Sequence, residues 1–196
     1  MKLILASSSK PRQDLFKMVG LKYEVVKSTI EEHSDSKEPN QYVIDLARDK
    51  ANSVANQIIE KAIIISADSI IYMDGKIFEK PKDKEEAFQN MKSMSGKITY
   101  GITGVTIKDL YQNKEISFAD SVEVHFKEVS DEDIKWYVEN DKNILQRCGY
   151  SIHGKAAFFV DKVVGDYNTV VGISLSKVYS KLQELGYSLS DFELEE

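Results

Sequence analysis

Two short, uninterrupted apolar runs place the strongest limit on how this chain can fold. They are Leu3–Ala6 and Ala62–Ala67, and the second is the most apolar segment of the sequence. Runs of this length without polar alternation are typical of strands that are covered on both faces. Segments with helical spacing lie between and after them. The pattern therefore predicts an α/β or α+β protein built on a mixed, twisted sheet that is flanked by helices.

Turn and cap residues divide the rest of the chain into further elements. Asp74-Gly75 between β-forming residues predicts a hairpin, and strict alternation over Ser121–Phe126 predicts a half-buried antiparallel strand. The remaining apolar patterns predict a helix after the first serines that ends at Gly20, a helix from Pro39 to Ile58, a strand over Ala156–Val164 and a helix over Leu175–Leu185.

Composition excludes several classes of protein. The 196 residues are 42% apolar, carry a net charge of −6 and include one cysteine. This excludes a disordered chain, a disulfide framework and a cysteine-rich zinc module, and it disfavours non-specific nucleic-acid binding. No apolar run approaches the length of a membrane span, and the first run stops short of a signal peptide. We expect a cytoplasmic protein whose single domain, residues 1–196, has two lobes.

The segment Ser7–Arg12 is the first candidate site. Hydroxyls and backbone N–H groups at a helix N-terminus bind anions, and Arg12 adds a guanidinium that can grip a phosphate through two nitrogens. The alternative is that the serines only cap the helix, since serine is a preferred N-cap residue. Cys148 has no obvious base nearby and the three histidines lack metal-ligand spacing, so thiol catalysis and a histidine metal site are not predicted.

Asp68 is the second candidate, because it follows a strand that should be central and buried. Ligands of open α/β sheets bind at the carboxyl ends of such strands, where a carboxylate can hold a hard cation or act as a base. It could equally cap a turn. The remaining charged candidates also have ordinary surface interpretations: Glu31-Glu32 as a solvated pair, and Lys50 and Lys80 as side chains whose ammonium groups extend to solvent.

An ordered series of motifs gives these residues a common context. It comprises Leu5–Arg12, Glu31-Glu32, Leu46–Ala51, Ala67–Ser69, Lys80-Pro81, Ser95–Lys97, Thr103–Val105, Gly149–Gly154 and Gly165–Gly172. In this order the series resembles the Maf family of nucleoside triphosphate pyrophosphatases over nearly the whole chain. The resemblance implies an elongated fold, shared with inosine-triphosphate pyrophosphatases, with two lobes around a central cleft.

The resemblance also implies an activity and a site. The activity is hydrolysis of a nucleoside triphosphate to a monophosphate and pyrophosphate, aided by Mg²⁺ or Mn²⁺. Phosphates would be held by Ser7, Ser9, Arg12, Lys50 and Lys80. The metal would be held by Glu32 and Asp68, and Asp68 would also activate water. The family further suggests a homodimer, with no nucleic-acid or membrane partner.

Three positions bear on which nucleotide is used. The family's dTTP/UTP branch typically has Arg, Thr and Gln where this chain has Pro11, Ser69 and His153. The branch that acts on 7-methyl-GTP typically has Trp, Gln and Glu there. Ser69 keeps a hydroxyl and His153 can still donate and accept hydrogen bonds, so the resemblance favours pyrimidine triphosphates, dTTP/UTP or modified forms. The alternatives are a nucleotide-binding regulator of septum formation with little turnover, and a phosphatase or nucleotidyltransferase with the same phosphate site.

Overall fold

A computed structural model describes residues 1–30 and 33–194 of the chain. The chain divides into two compact units. Unit 1 comprises Met1–Asp68, Thr103–Asp120 and Gly172–Glu196, and unit 2 comprises Ser69–Ile102 and Ser121–Val171. Among the described residues, no helix is both long enough and apolar enough to cross a membrane.

Within residues 1–30 and 33–194, seven strands and six α-helices make up most of the regular structure. The strands are β1 (Leu3–Ala6), β2 (Glu24–Val25), β3 (Ile63–Met73), β4 (Lys76–Phe78), β5 (Ile98–Asp109), β6 (Lys114–Phe126) and β7 (Val160–Val164). The helices are α1 (Lys10–Met18), α2 (Pro39–Ala55), α3 (Lys84–Met94), α4 (Asp131–Asn140), α5 (Tyr167–Val171) and α6 (Leu175–Glu184).

The strands form one mixed sheet, as the apolar runs predict. The order is β2-β1-β3-β5-β6-β7, and β4 pairs with the second half of β3. β1 is parallel to both β2 and β3, whereas β3–β4 and β6–β7 are antiparallel. Ala6 at the end of β1 lies opposite Ser66 of β3. This register fixes which polar residues share the carboxyl edge of the parallel strands.

Unit 1 is held together by α2 packed directly on the sheet. Ala51 and Val54 of the helix share a fully buried cluster with Ile4, Ala6 and Ile64 of the strands. The helix also passes so close to Gly104 of β5 that a Cβ atom there would overlap the backbone carbonyl group of Val43. A glycine at this position is therefore a requirement of the helix–sheet contact.

Unit 2 has a larger and more aromatic core. The ring of Tyr150 stands edge-on to that of Phe126 with centroids 4.7 Å apart, and its hydroxyl lies 2.8 Å from the Thr99 hydroxyl. Tyr137 packs edge-on against Phe159 at 5.7 Å. Burial raises the pKa of both tyrosines well above the ordinary value of 10, so these rings stay neutral inside the core.

Most predicted elements are confirmed, with two corrections. The hairpin has positive φ at both Asp74 and Gly75, as Asp-Gly favours, but the apolar run before it continues as one 11-residue strand. The predicted strand over Ala156–Val164 is wrong in its first half, where residues 155–158 form a 3₁₀ helix. Ala156 and Phe159 are buried with exposed residues between them, which is the three-residue period of that helix rather than strand alternation.

Candidate active site

The carboxyl end of β1 is where the topology of unit 1 favours a ligand. β3 continues past this point to Met73, so Asp68 lies within β3 and not after it, contrary to the prediction from the sequence. β1 lies between β2 and β3 in the sheet. The chain therefore moves from β1 to β2 in one direction along the sheet, and then from β2 across β1 to β3 in the opposite direction. Parallel crossovers are right-handed, and two that run in opposite directions place their helices on opposite faces. A ligand is therefore expected at this edge, which is the usual ligand position in open α/β sheets.

Arg12 and Ser7 form a buried polar pair just beyond the end of β1. The Ser7 side chain accepts a hydrogen bond from Arg12 Nη1 at 3.3 Å, and Arg12 Nε donates to the carbonyl oxygen of Gly172 at 2.9 Å. Arg12 is 8% exposed and Ser7 is 7% exposed. A buried guanidinium next to a hydroxyl at a helix start is suited to an anion.

The beginning of α1 is arranged differently from a simple serine cap. Ser9 occupies the N-cap position, but among the described residues its side chain makes no capping hydrogen bond. Its backbone N–H instead donates to Ser7 Oγ at 3.2 Å, and Pro11, in the first turn, has no N–H to satisfy. The Ser9 hydroxyl therefore does not cap α1, in contrast to the alternative interpretation of the serines.

Lys50 of α2 and Asp68 of β3 form a second pair in unit 1. Their charged groups are in direct hydrogen-bonded contact, and their side chains are only 11% and 13% exposed. The Lys50 ammonium therefore points to a carboxylate and does not extend to solvent. An ion pair this sheltered is screened much less by salt than a surface pair.

Ser66 explains why Asp68 faces α2. Side chains alternate along a strand, so Ser66 and Asp68 point to the same face. The Ser66 hydroxyl is fully buried and lies 2.6 Å from the carbonyl oxygen of Ala47, to which it donates a hydrogen bond. Ala47 and Lys50 are one turn apart on α2, so this hydrogen bond and the ion pair fix the same stretch of helix against β3.

The predicted site residues fall into three groups. Unit 1 brings Ser7, Ser9 and Arg12 together at the end of β1, and Lys50 and Asp68 together on α2 and β3. Glu32, with Glu31, lies outside the described residues. Pro11 lies in the first turn of α1, also in unit 1. The remaining three belong to unit 2: Lys80 is exposed after β4, Ser69 is half-buried on β3, and His153 is exposed with Nε2 3.4 Å from Ser151 Oγ.

Two residues with a place in this site were not among the predicted site residues. Ser66 anchors α2, and Gly172 supplies the carbonyl group that Arg12 contacts. A hydroxyl inside an otherwise apolar run could have drawn attention to Ser66. Gly172 belongs to a glycine-rich motif, but no local pattern indicates that its partner lies 160 residues earlier.

A divalent cation is compatible with the donor chemistry of this edge. Among residues 1–30 and 33–194, no three acidic, histidine or cysteine side chains cluster as a ready-made metal site. Mg²⁺ does not need such a cluster, because it is commonly held by one or two carboxylates together with substrate phosphates and water. Asp68 offers one carboxylate of the required oxygen type, next to a predicted phosphate site.

The comparisons by sequence identify one family. A family model described as Maf-like protein matches residues 2–185. A dTTP/UTP pyrophosphatase from Thermoanaerobacter sp. (strain X514) is 39% identical over 93% of this chain and 96% of its own length. One from Carboxydothermus hydrogenoformans is 38% identical over 95% of this chain and its entire length. The Ham1 protein structure from Staphylococcus aureus aligns with TM-score 0.45 and 12% identity, covering 64% of this chain and 72% of that one.

Proposed function

This chain belongs to the Maf family, and we propose that it hydrolyses nucleoside triphosphates to a nucleoside monophosphate and pyrophosphate. One observation carries the proposal. The β1/β3 edge of unit 1 presents a buried Ser7–Arg12 pair and a sheltered Lys50–Asp68 pair at the place where an open α/β sheet binds ligands. The first pair supplies the hydroxyl and guanidinium that anion recognition needs, and the second pair supplies the carboxylate that water activation needs.

The triphosphate is the part of the substrate that the β1 end is suited to hold. Its negative charges repel an incoming nucleophile, so catalysis depends mainly on neutralising and positioning them. Arg12 supplies a charged planar donor, and Ser7, Ser9 and the backbone N–H groups at the start of α1 supply neutral donors. Lys50 and Lys80 add point charges for phosphate oxygens in this proposal.

Asp68 is proposed as the base for the attacking water. A carboxylate that is fixed by a cation on one side can orient water and accept its proton on the other. The Lys50 contact and the Ser66 anchor both limit the motion of Asp68, so the base is positioned before substrate arrives. A Mg²⁺ or Mn²⁺ ion held by Asp68 and Glu32 would supply charge neutralisation at the phosphates.

The proposed substrates are dTTP and UTP, as the names of the similar proteins suggest. Pro11, Ser69 and His153 are the proposed specificity residues. The hydroxyl of Ser69 and the ring nitrogens of His153 can each donate or accept hydrogen bonds, which suits the carbonyl and N–H edge of a pyrimidine. His153 is exposed.

The decisive experiment follows the products of a nucleotide panel. With Mg²⁺ or Mn²⁺ the protein should convert UTP and dTTP to UMP and dTMP with release of pyrophosphate, and chelation of the metal with EDTA should abolish turnover. UTP with a methylene bridge between the α and β phosphorus atoms should be inert, whereas a β,γ-methylene analogue should still yield UMP. Release of orthophosphate from UTP would contradict the cleavage position. Tight binding of UTP without turnover would favour the regulatory alternative.

A further inference from the structure

We propose that Gly172 is a positioning residue for Arg12, and that its backbone sets the orientation in which the guanidinium meets a phosphate. Arg12 Nε donates to the Gly172 carbonyl oxygen at 2.9 Å, and both residues belong to unit 1. The inference rests on the proposed function, because it assigns Arg12 a phosphate as its ligand.

Two fixed acceptors are enough to orient a guanidinium. Its five N–H donors lie in one plane, so a hydrogen bond from Nε limits the tilt of that plane and a second, from another nitrogen, limits its rotation. The Gly172 carbonyl oxygen takes the first of these, and Ser7 Oγ at 3.3 Å takes the second. Bidentate recognition of a phosphate depends on this plane being held correctly.

The position also requires glycine. Its φ is +138°, a conformation that residues with a side chain rarely adopt. A Cβ atom at residue 172 would lie 3.1 Å from both Cγ and Nε of Arg12, which is closer than ordinary van der Waals contact. Any side chain at this position would therefore displace the arginine even if the backbone kept its shape.

The Arg12–Gly172 hydrogen bond connects the predicted phosphate site with the segment that precedes α6. Gly172 is followed by Ile173, which is completely buried, and by Ser174, whose side chain caps α6 by accepting from the Lys177 N–H. The carbonyl group is therefore anchored on its C-terminal side by packing and by a helix start. A carbonyl fixed in this way can hold Arg12 in place without itself touching the substrate.

The experiment is a double-mutant cycle of Gly172→Ala and Arg12→Ala with UTP hydrolysis as the readout. In the wild-type background, Gly172→Ala should lower kcat/KM at least about tenfold, because it misplaces a charged hydrogen-bond donor of the substrate. In the Arg12→Ala background, the same change should alter kcat/KM by less than about twofold. Equal effects in both backgrounds would overturn the proposal.

Gly20→Ala is the matched control. Gly20 is also in unit 1 and has φ +69°, but nothing lies within 4 Å of where its Cβ would be. This variant also places an alanine at positive φ, although at an angle that costs less than the one at residue 172, and it should keep wild-type kcat/KM. Comparable losses in Gly20→Ala and Gly172→Ala would show that backbone strain alone explains the effect, and would reject positioning.

A measurement on the wild-type protein keeps the proposal testable if Gly172→Ala does not fold. The Arg12 Nε–H resonance, assigned by its loss in Arg12→Lys, should exchange slowly with solvent because the proton is bound and buried. Rapid exchange would contradict the contact. Wild-type protein that hydrolyses no nucleotide would refute the proposed function, whereas an active wild type with an additive cycle would refute only the positioning role.

Discussion

The two units differ in what they bury. The charged residues that are buried among the described parts of the chain, Arg12, Lys50, Asp109 and Asp120, all belong to unit 1. Unit 2 buries aromatic rings with neutral hydroxyls, such as Tyr137 and Tyr150. A buried charge is costly unless it is paired, whereas a neutral ring stabilises the core by its area. The buried ionic groups of the described residues are therefore concentrated in unit 1, whereas the described core of unit 2 is uncharged.

Burial of a charge is not by itself a mark of catalysis. Asp109 is fully buried, but it accepts hydrogen bonds from the Tyr187 hydroxyl and from the backbone N–H groups of Tyr111 and Gln112. Its role is to close the turn after β5. Arg12 and Asp68 differ because they follow Ala6 and Ser66, the last residues that pair between the parallel strands β1 and β3, and this location supports their functional assignment.

Asp68→Asn should have the largest effect on activity. It keeps an oxygen that can accept from the Lys50 ammonium but removes the base, so kcat should fall by about 10²–10⁴-fold. It also leaves the buried Lys50 without a counter-charge, so the melting temperature should fall as well, and kcat is measured at a temperature where the variant is still folded. The control is Asp74→Asn in unit 2, whose carboxylate forms an exposed ion pair with Lys97 at 2.9 Å. Surface pairs of this kind contribute about 0–1 kcal/mol, so Asp74→Asn should leave both rate and stability near wild type. If Asp68→Asn keeps near-wild-type turnover, Asp68 is excluded as the base.

Gly104→Ala should have the next largest effect, and the quantity it lowers is the free energy of unfolding. The added methyl group overlaps the Val43 carbonyl group, so α2 must move away from β5 at a cost of about 1–3 kcal/mol or more. This corresponds to a fall of about 2–4 °C in melting temperature per kcal/mol. Gly154→Ala in unit 2 is the control, because φ is −120° there and the nearest atoms lie at 3.4 Å. If calorimetry gave the two variants equal melting temperatures, the close helix–sheet contact in unit 1 would be disproved.

The smallest effect concerns the buried hydroxyl of Tyr150. Burial raises its pKa above the ordinary value of 10, although the hydrogen bond with Thr99 acts in the opposite direction. The folded state therefore holds the phenolic proton more tightly than the unfolded state, and stability is lost as the pH rises above 10.

Tyr150→Phe tests this pH dependence. At pH 7 it should cost about 1 kcal/mol, the value of one hydrogen bond, and above pH 10 its stability should decline less steeply than that of the wild type. Urea unfolding at a series of pH values measures both quantities, with exposed Tyr100→Phe as the control. Parallel pH profiles for the wild type and Tyr150→Phe would show that the Tyr150 hydroxyl does not cause the loss of stability above pH 10.

Local chemistry made much of the fold predictable. Continuous apolar runs predicted β1 and β3, Asp-Gly predicted the hairpin, and Pro39 marked the first residue of α2. The 3₁₀ helix at residues 155–158 was missed because buried alanine and phenylalanine three residues apart resemble a strand when only apolarity is considered. Short apolar segments do not by themselves distinguish these periods.

The contacts among the predicted site residues were not predictable from the sequence. Helix spacing placed Lys50 on the buried stripe of α2, which is unusual for lysine, but only strand register showed that Asp68 faces it. The Arg12–Gly172 hydrogen bond joins segments that share no local pattern, so no periodicity or cap could indicate it. Long-range contacts of this kind depend on topology rather than on local propensity.

The Arg12–Gly172 hydrogen bond also has a consequence for synthesis on the ribosome. Arg12 is made early, but its carbonyl partner is added only when translation has reached residue 172 of 196. A nascent chain that has completed β1, α1, α2 and β3 therefore still lacks an oriented arginine. Under the proposed positioning role, the acceptor that orients Arg12 is therefore supplied only after Ser7, Lys50 and Asp68 have all been synthesised.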